Sequence, residues 1–379
     1  MNKYVPLNEP ITYQSDLIEE EIAIQRSKSP ILLTMGNFFV VLLAGVLTLI
    51  LIFIVPSQVD VKTKLKPCSD NLQLESHSGC NRDEALCART YDKVAYATMH
   101  NAFATGQDGF VFPQHRACMR SGLTHGIRAF MLDAYLITAS DELKLCHSSC
   151  LLGSSSLSST LLMFEEFLRL NPREIVTLIW EFKVQGQDKR SAQDIKSLKR
   201  LFVLAMRSAG LLPYLHWQHI SYEPEWPTLD EMIAMNHRLV SFTDTIALSD
   251  EPWDMYTYDH TVETRFDMTS KAEMDKSCVI HRGEVLWTSL FILNHFTVMS
   301  ALSVDTTVTD SFGQFTCIDN LMRINQEPYM WNRISDCAQC LGKFPNFIAV
   351  DFWESSDVIQ VVTKINSATF PTNESKCIQ

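Results

Sequence analysis

The run Glu174-Ile-Val-Thr-Leu-Ile-Trp-Glu-Phe-Lys183 decides the fold class. It is a short apolar stretch of strand character set between two helical patterns. Before it, residues 159–170 carry Leu161, Leu162, Phe164, Phe167 and Leu168 on one face and stop at Asn171-Pro172. After it, residues 191–209 open with the capping box Ser191-Ala-Gln-Asp194. They repeat apolar residues at Ile195, Leu198, Leu201 and Phe202, and end at Gly210. Helix, strand and helix in this order are the unit of a parallel sheet.

The alternation extends outward from this unit. Further strand candidates are 93–100, 127–135, 142–147, 238–244, 285–294 and 346–352, and further helices are 230–235, 318–324 and 356–365. An alternating stretch of roughly 275 residues suits a closed parallel (β/α)8 barrel. The rival is an open doubly wound sheet. No glycine-rich phosphate loop follows the first strand, which weakens that rival.

Composition limits the function. Among 379 residues, 46% are hydrophobic, enough for a large core. Lysine and arginine number 32 against 44 aspartates and glutamates, a net charge of −12, so nucleic acid is not an expected partner. Residues 31–55 contain no charge and are interrupted only by Thr34, Gly36, Asn37, Gly45 and Thr48. About 20 apolar residues cross a bilayer as a helix, so this segment is expected to be an uncleaved signal anchor.

The flanking lysines and arginines are nearly balanced and do not orient the span. The cysteines do: all 11 follow it, from Cys68 to Cys377, as does the single sequon at Asn373. That usage fits an oxidising compartment beyond the membrane. The expected organisation is a cytosolic tail (1–30), the anchor (31–55), a cysteine-containing stalk (56–89), the barrel (90–366) and a tail (367–379). The chain is thus expected to be a single-pass, type II membrane protein with its barrel lumenal or extracellular. Cys146-His-Ser-Ser-Cys150 and Cys337-Ala-Gln-Cys340 have zinc-like spacing, but disulfides are the better reading in that compartment.

Polar residues close the strands. His100, Asp133, His147, Glu181, Asp244 and Asp351 each end a strand candidate. Strand periodicity puts Asp133 in phase with Met131, His147 with Leu145, Glu181 with Ile179 and Asp351 with Ala349. Each would point into a barrel mouth, while Leu132, Cys146 and Trp180 face the helices. One such residue is usually a solvated loop start. Six together, two of them histidines, form a candidate acid–base site.

The same residues carry a resemblance. Ala97-Thr-Met-His-Asn-Ala-Phe103 resembles the first histidine motif of the phosphatidylinositol-specific phospholipase C X domain, and Leu145-Cys-His-Ser148 resembles the second. Gly126-Ile-Arg-Ala-Phe-Met-Leu-Asp133, Asn171-Pro-Arg-Glu-Ile-Val-Thr-Leu178, Trp226–Ile233 with Arg238–Asp244, and Pro345–Phe352 are similar to further segments of that family, in the same order. The resemblance implies a distorted TIM barrel and a phosphoric diester hydrolase. It implies His100 as the base that deprotonates the inositol 2-hydroxyl and His147 as the acid that protonates the leaving glycerol oxygen. The products would be a cyclic inositol phosphate and diacylglycerol.

Family members neutralise the phosphorus charge with an arginine or with calcium. Asn101, Asp133 and Glu181 match three calcium ligands, all oxygen donors as a hard ion prefers. The fourth matched position is Met131, so the Ca2+ ligand set is incomplete. Barrel closure would bring Asp351 to His100, where a carboxylate orients an imidazole. Lys183, in phase with Glu181, and Arg128 are candidate substrate contacts. Two alternatives stay open: a non-catalytic binding or scaffold module, and a phosphodiesterase acting on another glycerophosphodiester or a sphingolipid.

Overall fold

The computed structural model describes residues 68, 70–218, 226–245, 251–284, 289–298 and 323–368. The expected anchor at 31–55, the cytosolic tail, most of the 318–324 helix and the sequon lie outside the described residues. Among the described residues, no helix is long and apolar enough to cross a membrane.

Among the described residues, eleven strands form one curled sheet: β1 (Tyr96–Met99), β2 (Ala129–Ile137), β3 (Glu142–Cys146), β4 (Ser154–Ser156), β5 (Val176–Val184), β6 (Leu239–Thr243), β7 (Met255–Tyr256), β8 (Thr261–Thr264), β9 (Ile280–Arg282), β10 (Leu290–Asn294) and β11 (Phe347–Val350). Eight run parallel in the order β7-β6-β5-β2-β1-β11-β10-β8. The first and last strands are neighbours, with Tyr96 opposite Phe347 and Met99 opposite Val350. That adjacency is the mark of a barrel path. No pairing among the described residues joins β7 to β8, so the sheet is an open half-barrel rather than the closed barrel expected.

The helices are α1 (Met119–His125), α2 (Leu157–Leu170), α3 (Ala192–Ser208), α4 (Leu229–Ala234), α5 (Thr257–His260), α6 (Lys271–Met274), α7 (Glu327–Leu341) and α8 (Val358–Ser367), of which α1, α2, α3, α7 and α8 cover the outer face. The Ser191–Asp194 capping box of α3 forms as read, with each side chain bonded to the other residue's backbone. A second box, Thr228 with Glu231, starts α4. Strand phase sorts the core into two layers. Leu132, Leu178, Trp180, Phe182, Leu293, Ile348 and Val350 pack outward under the helices. Tyr96, Ala129, Ile179, Val240, Phe242, Leu290, Ile292 and Phe347 fill the inside of the curl. Trp180 and Phe182 meet Phe202 of α3 edge-on, with ring centroids 5.1 and 5.0 Å apart. Burying such a side chain contributes about 1.5–3 kcal/mol.

One strand candidate changes role. Residues 142–147 were expected as a parallel barrel strand, but β3 runs antiparallel to β2 and then to β4. Only a tight turn at 138–141 separates β2 from β3, too short for the crossover that parallel neighbours need. Strands β4, β7, β8 and β9, the short helices α1, α5 and α6 and the 15-residue α7 were not expected from the sequence. Those strands are short and lack the alternation that marks longer ones.

Residues 70–89, read as part of a stalk, lie against the body. Leu72 is fully buried, its carbonyl accepts from Asn171 Nδ2 at 2.8 Å, and Asn81 Oδ1 accepts from the Ile175 amide at 2.7 Å. Disulfides join Cys68 to Cys118, Cys80 to Cys87, Cys146 to Cys150 and Cys278 to Cys337, and Cys340 is disulfide-bonded too. These bonds remove the zinc readings.

Candidate active site

His100 follows β1 and Asp351 follows β11. Because those strands pair, residues 251 apart in sequence meet: His100 Nδ1 lies 2.9 Å from Asp351 Oδ1. The Nδ1–H donates to the carboxylate, so the ring's lone pair is on Nε2. Asn101 Nδ2 donates to that Nε2 at 3.1 Å. The imidazole stacks on Phe296, with centroids 3.6 Å apart and planes 4° from parallel. Gln114, with its amide nitrogen inward, donates to both Asp351 oxygens at 2.9 and 3.3 Å. His115 Nε2 donates to the His100 carbonyl at 2.7 Å. Burial lowers the His115 pKa to about 4, so it serves as a neutral strut.

The backbone beside the pair is held in a costly shape. Asn101 and Phe352 adopt left-handed φ of 46° and 49°. Such residues cost about 1–3 kcal/mol each and persist only where surrounding bonds determine them. Here Ala102 N donates to Met131 O at 3.0 Å and Phe352 N to Gln114 O at 2.8 Å.

Asp133 and Glu181 lie opposite each other on the paired strands β2 and β5, and Tyr135 and Lys183 lie opposite each other two residues on. All four share the inner face by strand phase. Lys183 Nζ reaches Asp133 Oδ2 at 2.8 Å and Glu181 Oε2 at 3.0 Å. Burial raises the Asp133 carboxyl to about 6, against the pull of the Lys183 ammonium and with the repulsion of Glu181. Burial pulls the Lys183 ammonium down, but Asp133 and Glu181 outweigh it and the net shift is upward.

His147 stands just after β3, where the Cys146–Cys150 disulfide closes its loop. Burial lowers its pKa, and the charge of His100 lowers it further; Asp351 and a hydrogen bond to the Phe112 backbone oppose this. The fold therefore gathers His100, His147, Asp351, Asn101, Asp133, Glu181 and Lys183 along one edge of the parallel strands.

Two expected residues go elsewhere. Arg128 precedes β2, at the opposite end of the strand from the site. Its side chain is buried, paired with Glu174, donates to the Leu123 and Ile127 carbonyls at 2.7 Å, and lies over Phe167. It is a structural ion pair, not a substrate contact, because its position on the strand directs it away from the site. Asp244 accepts from the Phe182 amide at 3.0 Å and pairs with Arg190. Gln114, His115, Phe296 and the pair of buried Glu263 with half-buried Arg282 were not legible in the sequence. They lie in loops or in the short strands β8 and β9, where no periodicity marks them.

The oxygen set expected for calcium does not stand open. Its two carboxylates already hold an ammonium, and Met131 offers a thioether that a hard ion does not prefer. Among the described residues, Cys80, Cys87 and Asp230 are the one close group of three ligating side chains, and its cysteines form a disulfide.

The curled α/β half-barrel carries His100 just after β1 and His147 just after β3. The family model described as PI-PLC X 1 matches residues 86–366, and the chain belongs to the phosphatidylinositol-specific phospholipase C X-domain family. An uncharacterized secreted protein of Arthroderma benhamiae is 25% identical over 310 residues, covering 77% of this chain and 64% of that protein. A PI-PLC X domain-containing protein of Arabidopsis thaliana is 27% identical over 301 residues, covering 73% of this chain and 62% of that one. The chain thus spans less than two thirds of the length of these two relatives. A mutant of the phosphatidylinositol-specific phospholipase C of Staphylococcus aureus superposes with a TM-score of 0.48 at 11% identity, over 75% of this chain and 95% of that one.

Proposed function

We propose that this protein is a phosphoric diester hydrolase that cleaves an inositol phospholipid at a membrane surface. The observation that carries the reading is the 2.9 Å bond from His100 Nδ1 to Asp351, which leaves Nε2 as a base. In this reading Nε2 takes the proton of the inositol 2-hydroxyl, and that oxygen attacks phosphorus in line. His147 gives its proton to the departing glycerol oxygen. The P–O bond to glycerol breaks, and a cyclic inositol phosphate and diacylglycerol leave. Asp351 stabilises the imidazolium and fixes its tautomer. Asn101 holds Nε2 until substrate replaces it. Calcium, the solution that the Asn101–Asp133–Glu181 match implied, would have to displace Lys183 first, and no step here depends on it.

A lipid substrate is supported by the rim. Phe112 is 59% exposed and Leu151 92%, and the loops that carry them are joined by the bond from Val111 N to Leu152 O at 2.9 Å. The Phe112 backbone bonds to His147, so this apolar patch adjoins the acid. Contiguous exposed apolar side chains mark protein or membrane contact sites. Placement of the barrel outside the cytosol is supported by the disulfides and by the relative named as secreted; the uncharged run at 31–55 is the proposed anchor of a type II topology.

The test is turnover of labelled phosphatidylinositol vesicles by the full chain. Cyclic inositol phosphate is the expected product, and His100→Ala and His147→Ala should each lower kcat by about 10²–10⁴-fold. A folded protein that releases no cyclic product would overturn the reading in favour of another phosphodiester or a scaffold.

A further inference from the structure

Lys183 is tied to β5, two residues beyond Glu181 on the same strand face. Its ammonium bridges Asp133 and Glu181 at 2.8 and 3.0 Å. An ammonium and a calcium ion cannot share these oxygens, because each needs them and the two cations repel. Calcium also asks for six to eight oxygens. With sulfur at Met131, this edge offers a divalent ion little beyond the two carboxylates and the Asn101 amide oxygen. The lysine, in contrast, is delivered by its own strand and needs only those two. Its side chain remains 35% exposed, so the ammonium is accessible to an incoming phosphodiester.

We propose that Lys183 is the resident cation of this site, standing where a divalent ion would otherwise sit and receiving a non-bridging phosphate oxygen. The phosphate contact rests on the phosphodiesterase reading; the replacement of the metal does not. The experiment titrates the full chain with calcium by calorimetry and follows vesicle turnover in calcium and in chelator. Wild type should take up no ion at this site at millimolar calcium and turn over equally in both conditions. Lys183→Met leaves two uncompensated carboxylates, so it should bind calcium at least about tenfold more tightly. That gain should vanish when Asp133→Asn is added. In chelator, Lys183→Met should lose roughly 10²-fold in kcat, since a lost charge contact to the transition state costs about that much.

Lys183→Arg keeps the charge and should stay free of calcium, which covers the case in which Lys183→Met melts early. Calcium bound by wild type and removed by Asp133→Asn would overturn the proposal. So would chelator-sensitive turnover of wild type, or equal calcium affinity in wild type and a folded Lys183→Met. If no variant cleaves vesicles, the calorimetry still decides the cation, and only the phosphodiesterase reading falls.

Discussion

His147 gives the sharpest pH test at the level of single residues. As the acid it must carry its proton when the glycerol oxygen leaves. Burial, and then the neighbouring His100, lower its pKa below the ordinary histidine value. A lowered pKa means the proton is lost at a lower pH, so the competent form belongs to the acidic side. The descending limb of kcat/KM against pH should therefore lie below the usual histidine range. A descending limb at or above that range would remove His147 from the acid role. The chemistry of the site was largely readable at this scale. Strand phase placed Asp133, Glu181 and Lys183 on one face because side chains alternate by geometry alone. It did not reveal that the lysine ammonium bridges both carboxylates, because phase gives a direction and not a reach.

At the scale of elements, the β2–β3–β4 ribbon and the loop around Phe112 hold the acid. Gly153 sits at their junction with φ of 143°, where a Cβ would meet the Phe110 ring at 2.6 Å. Gly153→Ala should push the Phe112 loop from the His147 loop. We expect a stability loss of about 1–3 kcal/mol, from strain and overpacking together. We also expect kcat to fall with little change in KM, because the acid rather than the binding face is displaced. Thermal unfolding beside steady-state kinetics checks this; unchanged kcat would detach the two loops from catalysis. The antiparallel role of β3 was not legible, because an apolar run looks alike whether its partner is parallel or antiparallel. What separates them is the length of the connection.

For the whole molecule, the apolar rim at Phe112 and Leu151 adjoins His147. Burying a phenylalanine or a leucine side chain contributes about 1.5–3 kcal/mol each, so Phe112→Ser with Leu151→Ser should weaken vesicle binding by roughly 10²-fold or more. The loss should be much larger on vesicles than on a monomeric short-chain inositol phosphodiester. Vesicle sedimentation with both substrates measures it; equal losses would mean that the patch serves the fold and not a lipid surface.

The sequence by itself determined the parallel α/β class, the capped helix at 192–208, the inward phase of the polar strand ends and the two histidine motifs. These depend on local geometry: helical and strand periods, caps and short motifs. The tertiary structure decided the rest. It joined His100 to Asp351 across 251 residues by placing the last strand beside the first. It turned Arg128 away to Glu174, left the sheet open between β7 and β8 among the described residues, and set Lys183 between two carboxylates. Gln114, His115 and Phe296 entered the site on loops, whose paths are set by long-range packing rather than by any repeat in the chain.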